Sequence, residues 1–319
     1  MRVRVGIQGP ESLFRMIVVI GMDARLPYIV SLKINHMKKI LIPTDFSPCA
    51  ANALDFAVQS AKLLPAKITL LHAFNLPGTM YTDYQGLNRE FRQIQWNEAH
   101  TRLESLVNSV REKDGLEVES RLVEGNVTVA IGDLLKTGSY DLIIMGTLGA
   151  GGLAEKLWGS NTGDVIGLCR LPVMVIPHAY RWRKPEKFLL ATGNFEKDPA
   201  VLDKLFELAD MYMAHVDVAV FTDEREEAAE FVDHGRKAPY YGEMLRKTYG
   251  NRELRTRQLT GKDLEKSLDS YIMENDVDVL TMITYKRGLW NRLLHPSQTR
   301  KMSFHTRIPL LAIPAGAEK

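Results

Sequence analysis

The sequence has few of the residues that mark a metal or redox centre. Only two cysteines, Cys49 and Cys169, occur among 319 residues, and they lie far apart without the spacing of metal ligands. Neither has an activating neighbour in sequence, so both are interpreted as small, buried, reduced thiols rather than as catalytic groups. This cysteine usage is typical of a protein of the cytoplasm.

Charge of one sign and long apolar runs are also lacking. The 41 basic and 39 acidic residues give a net charge of +2, whereas a dedicated nucleic-acid-binding protein carries a strong basic excess. The apolar stretches 16–22 and 26–32 are interrupted by Asp23, Arg25 and Pro27, and they fall short of the roughly 20 apolar residues of a membrane span. A continuous apolar core with a secretion cleavage site is missing too. The sequence therefore predicts neither a nucleic-acid partner nor a membrane partner.

The first 36 residues match the rest of the chain poorly. We expect Met37 to be the biological start and residues 1–36 to be a non-native or disordered extension. Mass spectrometry of the native protein's N-terminus tests this expectation, because a peptide from residues 1–36 would contradict it.

From Lys38 onward, short apolar runs alternate with helical patterns. Ser47-Pro48, for example, supplies an N-cap and a first-turn proline for the first helix. Strands that alternate with helices predict right-handed βαβ crossovers and a parallel sheet covered on both faces. The predicted strands are 39–43, 67–73, 116–123, 141–145 and 172–176, and the predicted helices are 48–61, 88–112, 127–136 and 160–170.

The pattern then starts again in the second half of the chain. The closing segment Arg307–Pro314 mirrors Arg170–Pro177, and four other apolar runs are also repeated. These repeats are Lys187–Ala191 for Lys39–Pro43, Val216–Phe221 for Thr69–Phe74, Leu254–Gly261 for Glu117–Gly125 and Asp278–Ile283 for Asp141–Gly146. The chain is therefore a tandem duplication of one α/β unit. The predicted domains are 37–177 and 187–315, joined by a linker at 178–186.

Glycines follow the strand at 141–145 at a regular spacing. Gly146, two residues, Gly149, nine residues and then Gly159-Ser160 make a loop that can approach a polyanion closely, because glycine has no side chain to hold the ligand off. Ser160 is the expected cap of the next helix, whose free N–H groups would face the same space. The pattern predicts a phosphate-binding loop, and the alternative is a flexible loop without a ligand.

Two other phosphate motifs do not apply. The run Gly149–Ala154 matches the loose form of a dinucleotide fingerprint, but it follows the fourth strand of the unit and the next helix begins too late. No glycine run ends in Gly-Lys-Ser or Gly-Lys-Thr, which excludes a P-loop.

Four separated motifs resemble the universal stress protein family in its tandem two-domain form. They are Lys38-Lys-Ile-Leu-Ile-Pro-Thr-Asp45-Phe-Ser47, Leu70-Leu-His-Ala73, Asp141-Leu-Ile-Ile-Met-Gly146 and the glycine signature that ends at Ser160. The resemblance covers 37–177, with a weaker match over 186–314. It implies an α/β fold of two tandem five-stranded parallel-sheet sandwiches, similar to the adenine nucleotide alpha hydrolases. It also implies a site for ATP or a related adenine nucleotide at the carboxyl ends of the strands.

The resemblance further implies which residues hold the nucleotide. Those next to the adenosine, ribose and phosphates would be Pro43, Thr44, Asp45, Ala73, Met145 and Gly146, and those that carry the phosphates would be Gly149, Gly159, Ser160 and Asn161. Mg²⁺ would bind only with the phosphates, and no catalytic residue or protein metal ligand is expected. Asp45 has a second interpretation as a helix-capping acid, although Ser47 is better placed for that role. His72, within an apolar strand, is interpreted as a core histidine.

The second half departs from this pattern. Aligned on the closing segments, Gly146, Gly149 and Gly159 become Ile283, Lys286 and Pro296, Asp45 falls on Gly193, and Ser297 survives opposite Ser160. Ile283 adds bulk where the backbone should approach phosphate, and Pro296 removes a donor. We therefore expect a degenerate second site, with nucleotide in the first domain only.

Three functions remain open on these grounds. The first is a nucleotide-binding regulatory or interaction module of a stress response. The second is a slow ATPase or other nucleotide-dependent enzyme on the same scaffold, although no residue stands out as a water-activating base. The third is a ligand-free pairing scaffold. The apolar final strands 173–176 and 310–313 are expected to pair within one chain as a pseudo-dimer of the two halves, and a homodimer is left open.

Overall fold

A computed structural model of the chain describes residues 16–23, 26–33, 39–63, 66–74, 85–147, 160–192, 195–224, 228–249, 254–285 and 307–315. Two strands come first, β1 (Met16–Asp23) and β2 (Leu26–Lys33), which pair with each other in an antiparallel sheet. Both contain several β-branched residues, and two residues separate them, a common spacing in hairpins. That residues 1–36 are a non-native or disordered extension stays a prediction.

The next nine elements alternate in the predicted order. They are β3 (Lys39–Pro43), α1 (Pro48–Leu63), β4 (Lys67–Phe74), α2 (Gln85–Asp114), β5 (Val118–Glu124), α3 (Val127–Thr137), β6 (Leu142–Gly146), α4 (Ser160–Leu168) and β7 (Val173–Ile176). Their bounds lie within three residues of the predicted ones.

The second half repeats this alternation. Its elements are β8 (Lys187–Thr192), α5 (Pro199–Tyr212), β9 (His215–Asp223), α6 (Ala228–Tyr249), β10 (Leu254–Gly261), α7 (Leu264–Glu274), β11 (Val279–Thr284) and β12 (Leu310–Pro314). Within the described ranges, none of the helices is both long and apolar enough to cross a lipid bilayer.

Ten strands form one sheet, in the order β10-β9-β8-β11-β12-β7-β6-β3-β4-β5. Each half contributes five strands that are parallel to one another, which confirms the predicted fold class. The halves meet where β12 pairs antiparallel with β7, with Leu311 opposite Met174. The two final strands, both apolar, thus pair with each other in the interior of the sheet.

The core lies on both faces of this sheet, because alternate residues of a strand point to opposite sides. Ile40 and Ile42 pack in a cluster with α1, α2, α5 and α6, whereas Leu41 belongs to a second cluster with α3, α4 and α7. Parallel strands covered on both faces are apolar almost throughout, which explains the continuous apolar runs of the sequence.

Strand register shows the duplication residue by residue. Ile40 pairs with Ile68 and Leu142, and Phe188 pairs with Val216 and Val279. Ile40 and Phe188 are therefore equivalent. The same register corrects one sequence alignment: Val216–Phe221 corresponds to Ile68–Ala73, one residue earlier than expected.

An aspartate directly precedes the corresponding strand in each half: Asp141, which is exposed, and Asp278, which is buried. The Asp141 carboxylate accepts from the backbone N–H of Lys39 at 2.9 Å, and the Asp278 carboxylate accepts from that of Lys187 at 3.0 Å. Asp278 also makes an ion pair of 2.8 Å with Arg183 of the connecting segment. The repeated contact ties the start of β6 to β3 and the start of β11 to β8.

Candidate functional site

The carboxyl ends of β3, β4 and β6 meet at one edge of the first half, where α/β sheets usually bind ligands. This edge brings together most of the predicted site residues that the structure describes. Pro43 ends β3 and is followed by buried Thr44 and exposed Asp45, half-buried Ala73 lies near the end of β4, and Met145 and Gly146 end β6. Ser160 begins α4 and Asn161 is exposed in its first turn, whereas Gly149 and Gly159 lie outside the described residues.

The turn after β3, residues Thr44–Ser47, is held by several local hydrogen bonds. The backbone N–H of Thr44 donates to the Leu71 carbonyl at 2.8 Å, and that of Ser47 donates to the Asp45 carboxylate at 3.0 Å. The Ser47 hydroxyl accepts from the N–H of Ala50 at 3.2 Å, so Ser47 is the N-cap of α1, as predicted. Asp45 instead organises the turn with one oxygen while the residue stays exposed.

Side chains from β4, from the turn itself and from α2 pack together at this turn. Nδ1 of half-buried His72 lies 2.7 Å from the Thr44 carbonyl oxygen, and its ring packs 4.4 Å from that of Phe46. The guanidinium of Arg102, on α2, lies 4.5 Å from the centre of the Phe46 ring. The interpretation of His72 as a satisfied core residue agrees with these contacts. Sequence reasoning did not connect it with Phe46 or Arg102.

Gly146 also has a packing role that the sequence did not reveal. A Cβ atom there would lie 2.8 Å from the carbonyl carbon and oxygen of Cys49, in the first turn of α1. Because Gly146 has no side chain, the first turn of α1 can pack directly against the end of β6. The thiol of Cys49 also lies 3.5 Å from the hydroxyl of Thr147, which directly follows β6.

Thr162 was missed by the sequence analysis. It is 3 % exposed and lies in the first turn of α4, and its hydroxyl donates to the Gly146 carbonyl at 3.0 Å. This bond fixes the start of α4 beside the end of β6. The backbone N–H groups of that helix end, which have no acceptor within the helix, are thereby held at the same edge as Asp45. Ser160 is the first helical residue rather than the residue before the helix.

The corresponding edge of the second half is built differently. Ile283 takes the register position of Gly146, since Gly146 pairs with Ile176 and Ile283 with Ile313 at the same place in their strands. The connection from β8 to α5 spans residues 193–198, two more than the connection 44–47 between β3 and α1. The Ile283 side chain is buried in the core cluster that also contains residues of α5.

Two further features distinguish this second edge. By register, buried Phe221 stands where the first half has Ala73. The Tyr285 hydroxyl, just after β11, donates to the carboxylate of Glu196 in the connection before α5. Burial, and then the Glu196 carboxylate through its hydrogen bond and its charge, raise the pKa of Tyr285, so this phenol keeps its proton to a higher pH than an exposed tyrosine does. Lys286, Pro296, Ser297 and Gly193 lie outside the described residues.

Comparison with known proteins identifies the family. The model of the universal stress protein family matches residues 36–177. Universal stress protein MJ0577 of Methanocaldococcus jannaschii is 30 % identical over 153 residues, which cover 44 % of this chain and 94 % of the relative. Universal stress protein YxiE of Bacillus subtilis is 30 % identical over 146 residues, which cover 43 % and 97 %. The chain belongs to the universal stress protein family.

The likeness in fold extends over both halves of this universal stress protein. The crystal structure of a universal stress protein from Archaeoglobus fulgidus DSM 4304 superposes with a TM-score of 0.63. That alignment covers 89 % of this chain and 98 % of the other, at 16 % identity. At this level of identity the similarity concerns the fold alone.

Proposed function

We propose that this universal stress protein binds an adenine nucleotide, specifically ATP, at the carboxyl edge of β3, β4 and β6, and acts in the cytoplasm as a regulatory or interaction module of a stress response. The observation that carries the proposal is the joint placement of two groups. Exposed Asp45 stands on an ordered turn, and the amino end of α4 is held beside Gly146 by Thr162. A carboxylate and the backbone N–H groups of a helix end at one sheet edge suit the two ends of a nucleotide.

Each part of the site has a role that follows from its chemistry. Asp45 accepts a hydrogen bond from a ribose hydroxyl or the adenine amino group, with Pro43 and Thr44 beside it. Ala73 and Met145 offer small or apolar contacts to the base and ribose. Backbone N–H groups near Gly146, together with Gly149, Gly159, Ser160 and Asn161, donate to the phosphates. Mg²⁺ accompanies the phosphates rather than binding a protein cluster of its own.

The proposal places nucleotide in the first domain, residues 37–177, and a degenerate site in the second, residues 187–315, beyond the linker 178–186. Two features of the second edge support this difference. The Phe221 side chain is larger than the alanine at the equivalent position, and the Tyr285–Glu196 hydrogen bond joins the end of β11 to the connection before α5. The pairing of β7 with β12 supports a pseudo-dimer of the two domains within one chain, and a further homodimer remains compatible with it.

The test is mass analysis of nucleotide that co-purifies with the full chain. Gly159→Asp should lose the ligand, because its carboxylate repels phosphate and fills the loop. The matched control is Pro296→Asp, the same new side chain at the aligned position of the second half, and it should keep the ligand. Equal retention by both variants would contradict the site, and equal loss would contradict its restriction to the first domain.

A thermal-shift measurement separates this proposal from a ligand-free scaffold. ATP at 100 times its Kd should stabilise the wild-type protein by about 2.7 kcal/mol. No shift with ATP, ADP or AMP, together with no co-purified nucleotide, would overturn the proposed function. Rapid product formation from labelled ATP would instead favour an enzyme.

A further inference from the structure

We propose that His72, Phe46 and Arg102 are positioning residues for the nucleotide site, because together they hold the turn that presents Asp45. We call these three residues the brace. The inference rests on the proposed function, since it concerns how the same site is kept ready for adenosine.

The first contact of the brace is a directed hydrogen bond. Nδ1 of His72 lies 2.7 Å from the carbonyl oxygen of Thr44. A carbonyl oxygen only accepts, so Nδ1 carries the proton and donates. The bond joins the end of β4 to the residue just before Asp45, and half-burial shields it from competing water.

The second contact restrains an unfavourable backbone. Phe46, directly after Asp45, has φ of 62°, a left-handed conformation that is unfavourable for a residue other than glycine. Such a conformation persists only where the surroundings enforce it. Here the N–H of Phe46 donates to the Thr44 hydroxyl at 3.1 Å, and its ring packs on His72 at 4.4 Å.

The third contact comes from helix α2. The Arg102 guanidinium lies 4.5 Å from the centre of the Phe46 ring, within the range of a cation–π interaction. The brace thus connects the turn to β4 through His72, to the hydrophobic core through Phe46 and to α2 through Arg102. Fixing the turn fixes the direction of the Asp45 carboxylate, whose oxygen is already engaged by the Ser47 N–H at 3.0 Å.

The distribution of the brace between the halves also favours a role in the site. By strand register, His72 corresponds to buried Val220, which has no hydrogen-bonding side chain. The corresponding connection in the second half is two residues longer. A histidine needed only to stabilise the fold would be useful in both halves, whereas the brace accompanies the half with the proposed site.

The experiment measures the affinity of the full chain for ATP and for inorganic tripolyphosphate by calorimetry. His72→Leu removes the donor and should weaken ATP binding about five- to tenfold, as expected for the loss of one hydrogen bond. His72→Asn keeps an N–H at the same distance from the backbone and should bind ATP nearly as well as the wild type. Tripolyphosphate, which lacks adenosine, should bind all three proteins equally.

A double-mutant cycle tests whether the brace acts through Asp45. In an Asp45→Ala background, His72→Leu should have no further effect on ATP affinity.

Arg102→Met, at an exposed position, replaces His72→Leu if that variant fails to fold. It should weaken ATP binding two- to fivefold without changing the affinity for tripolyphosphate. Unchanged ATP affinity in these variants, or equal losses for both ligands, would overturn the positioning role. A wild-type protein that binds tripolyphosphate but not ATP would overturn the adenosine part of the proposed function and this inference with it. Wild-type binding to neither ligand would overturn the site itself.

Discussion

At the scale of single residues, a missing side chain sets how closely α1 approaches β6. The Gly146 backbone lies so near the first turn of α1 that a Cβ would meet the carbonyl carbon and oxygen of Cys49 at 2.8 Å. Backbone atoms cannot rotate away as a flexible side chain would. A methyl group at this position therefore has to move the helix.

Gly146→Ala should lower the free energy of unfolding by about 1–3 kcal/mol, as overpacking against a rigid backbone does. Urea denaturation measures the change. Gly132→Ala is the control, because Gly132 lies inside α3 with nothing within 4 Å of a new Cβ. It should raise stability by up to about 1 kcal/mol, since alanine is the better helix former. Equal effects of the two substitutions would contradict the packing explanation.

At the scale of elements, helices α1 and α5 carry a buried contact between the two halves. The Tyr212 hydroxyl donates to the Ser60 hydroxyl at 2.7 Å, and Ser60 in turn donates to the Phe56 carbonyl at 2.7 Å. Tyr212 and Ser60 are each 1 % exposed. The connecting segment packs here as well, with Trp182 edge-on to Phe56 at 4.9 Å. The relation between the halves is thus set by specific polar contacts as well as by β7 and β12.

Ser60→Ala should cost about 1–3 kcal/mol of unfolding free energy, because the buried Tyr212 hydroxyl loses its acceptor. Tyr212→Phe removes that hydroxyl and leaves Ser60 bonded to Phe56, so it should cost less than about 1 kcal/mol. Chemical denaturation of both variants and of the double variant tests this asymmetry. A larger loss for Tyr212→Phe than for Ser60→Ala would refute it.

One element also departs from local expectation. Proline in a helix interior usually breaks the helix, yet α6 continues from Ala228 to Tyr249 through exposed Pro239. Buried Ala238, Tyr241 and Leu245 hold the helix against the sheet on both sides of the proline. Tertiary packing outweighs the local preference here.

At the scale of the whole molecule, buried thiol and phenol groups should make the stability of the fold decrease at alkaline pH. Burial raises the pKa of Cys169 to about 11 from 9.0, and burial with the neighbouring Asp217 carboxylate raises that of Tyr271 to about 12 from 10.0. Burial also raises the pKa of Tyr212. These groups keep their protons in the folded state at pH values where the unfolded chain has lost them.

The unfolding temperature should therefore fall between about pH 9 and 12, because these groups then bind more protons in the folded state than in the unfolded state. Scanning fluorimetry over this range measures the fall. Cys169→Ala should make the decline shallower between pH 9 and 11. An unfolding temperature that stays level to pH 11 would contradict the assigned burial of these groups.

The sequence alone determined the order of strands and helices, the duplication, and the family, because these depend on local apolar periodicity and on short motifs such as Asp45-Phe-Ser47. Through the family resemblance it also assigned Pro43, Asp45, Ala73 and Gly146 to one site at the carboxyl ends of the strands. Only the tertiary structure revealed that Gly146 packs against the first turn of α1, that Thr162 anchors α4, and that His72 supports the turn that contains Asp45. Those contacts join residues from 16 to 97 positions apart in the chain. No local pattern encodes such a contact, because it exists only when the strands have packed side by side and the helices cover them.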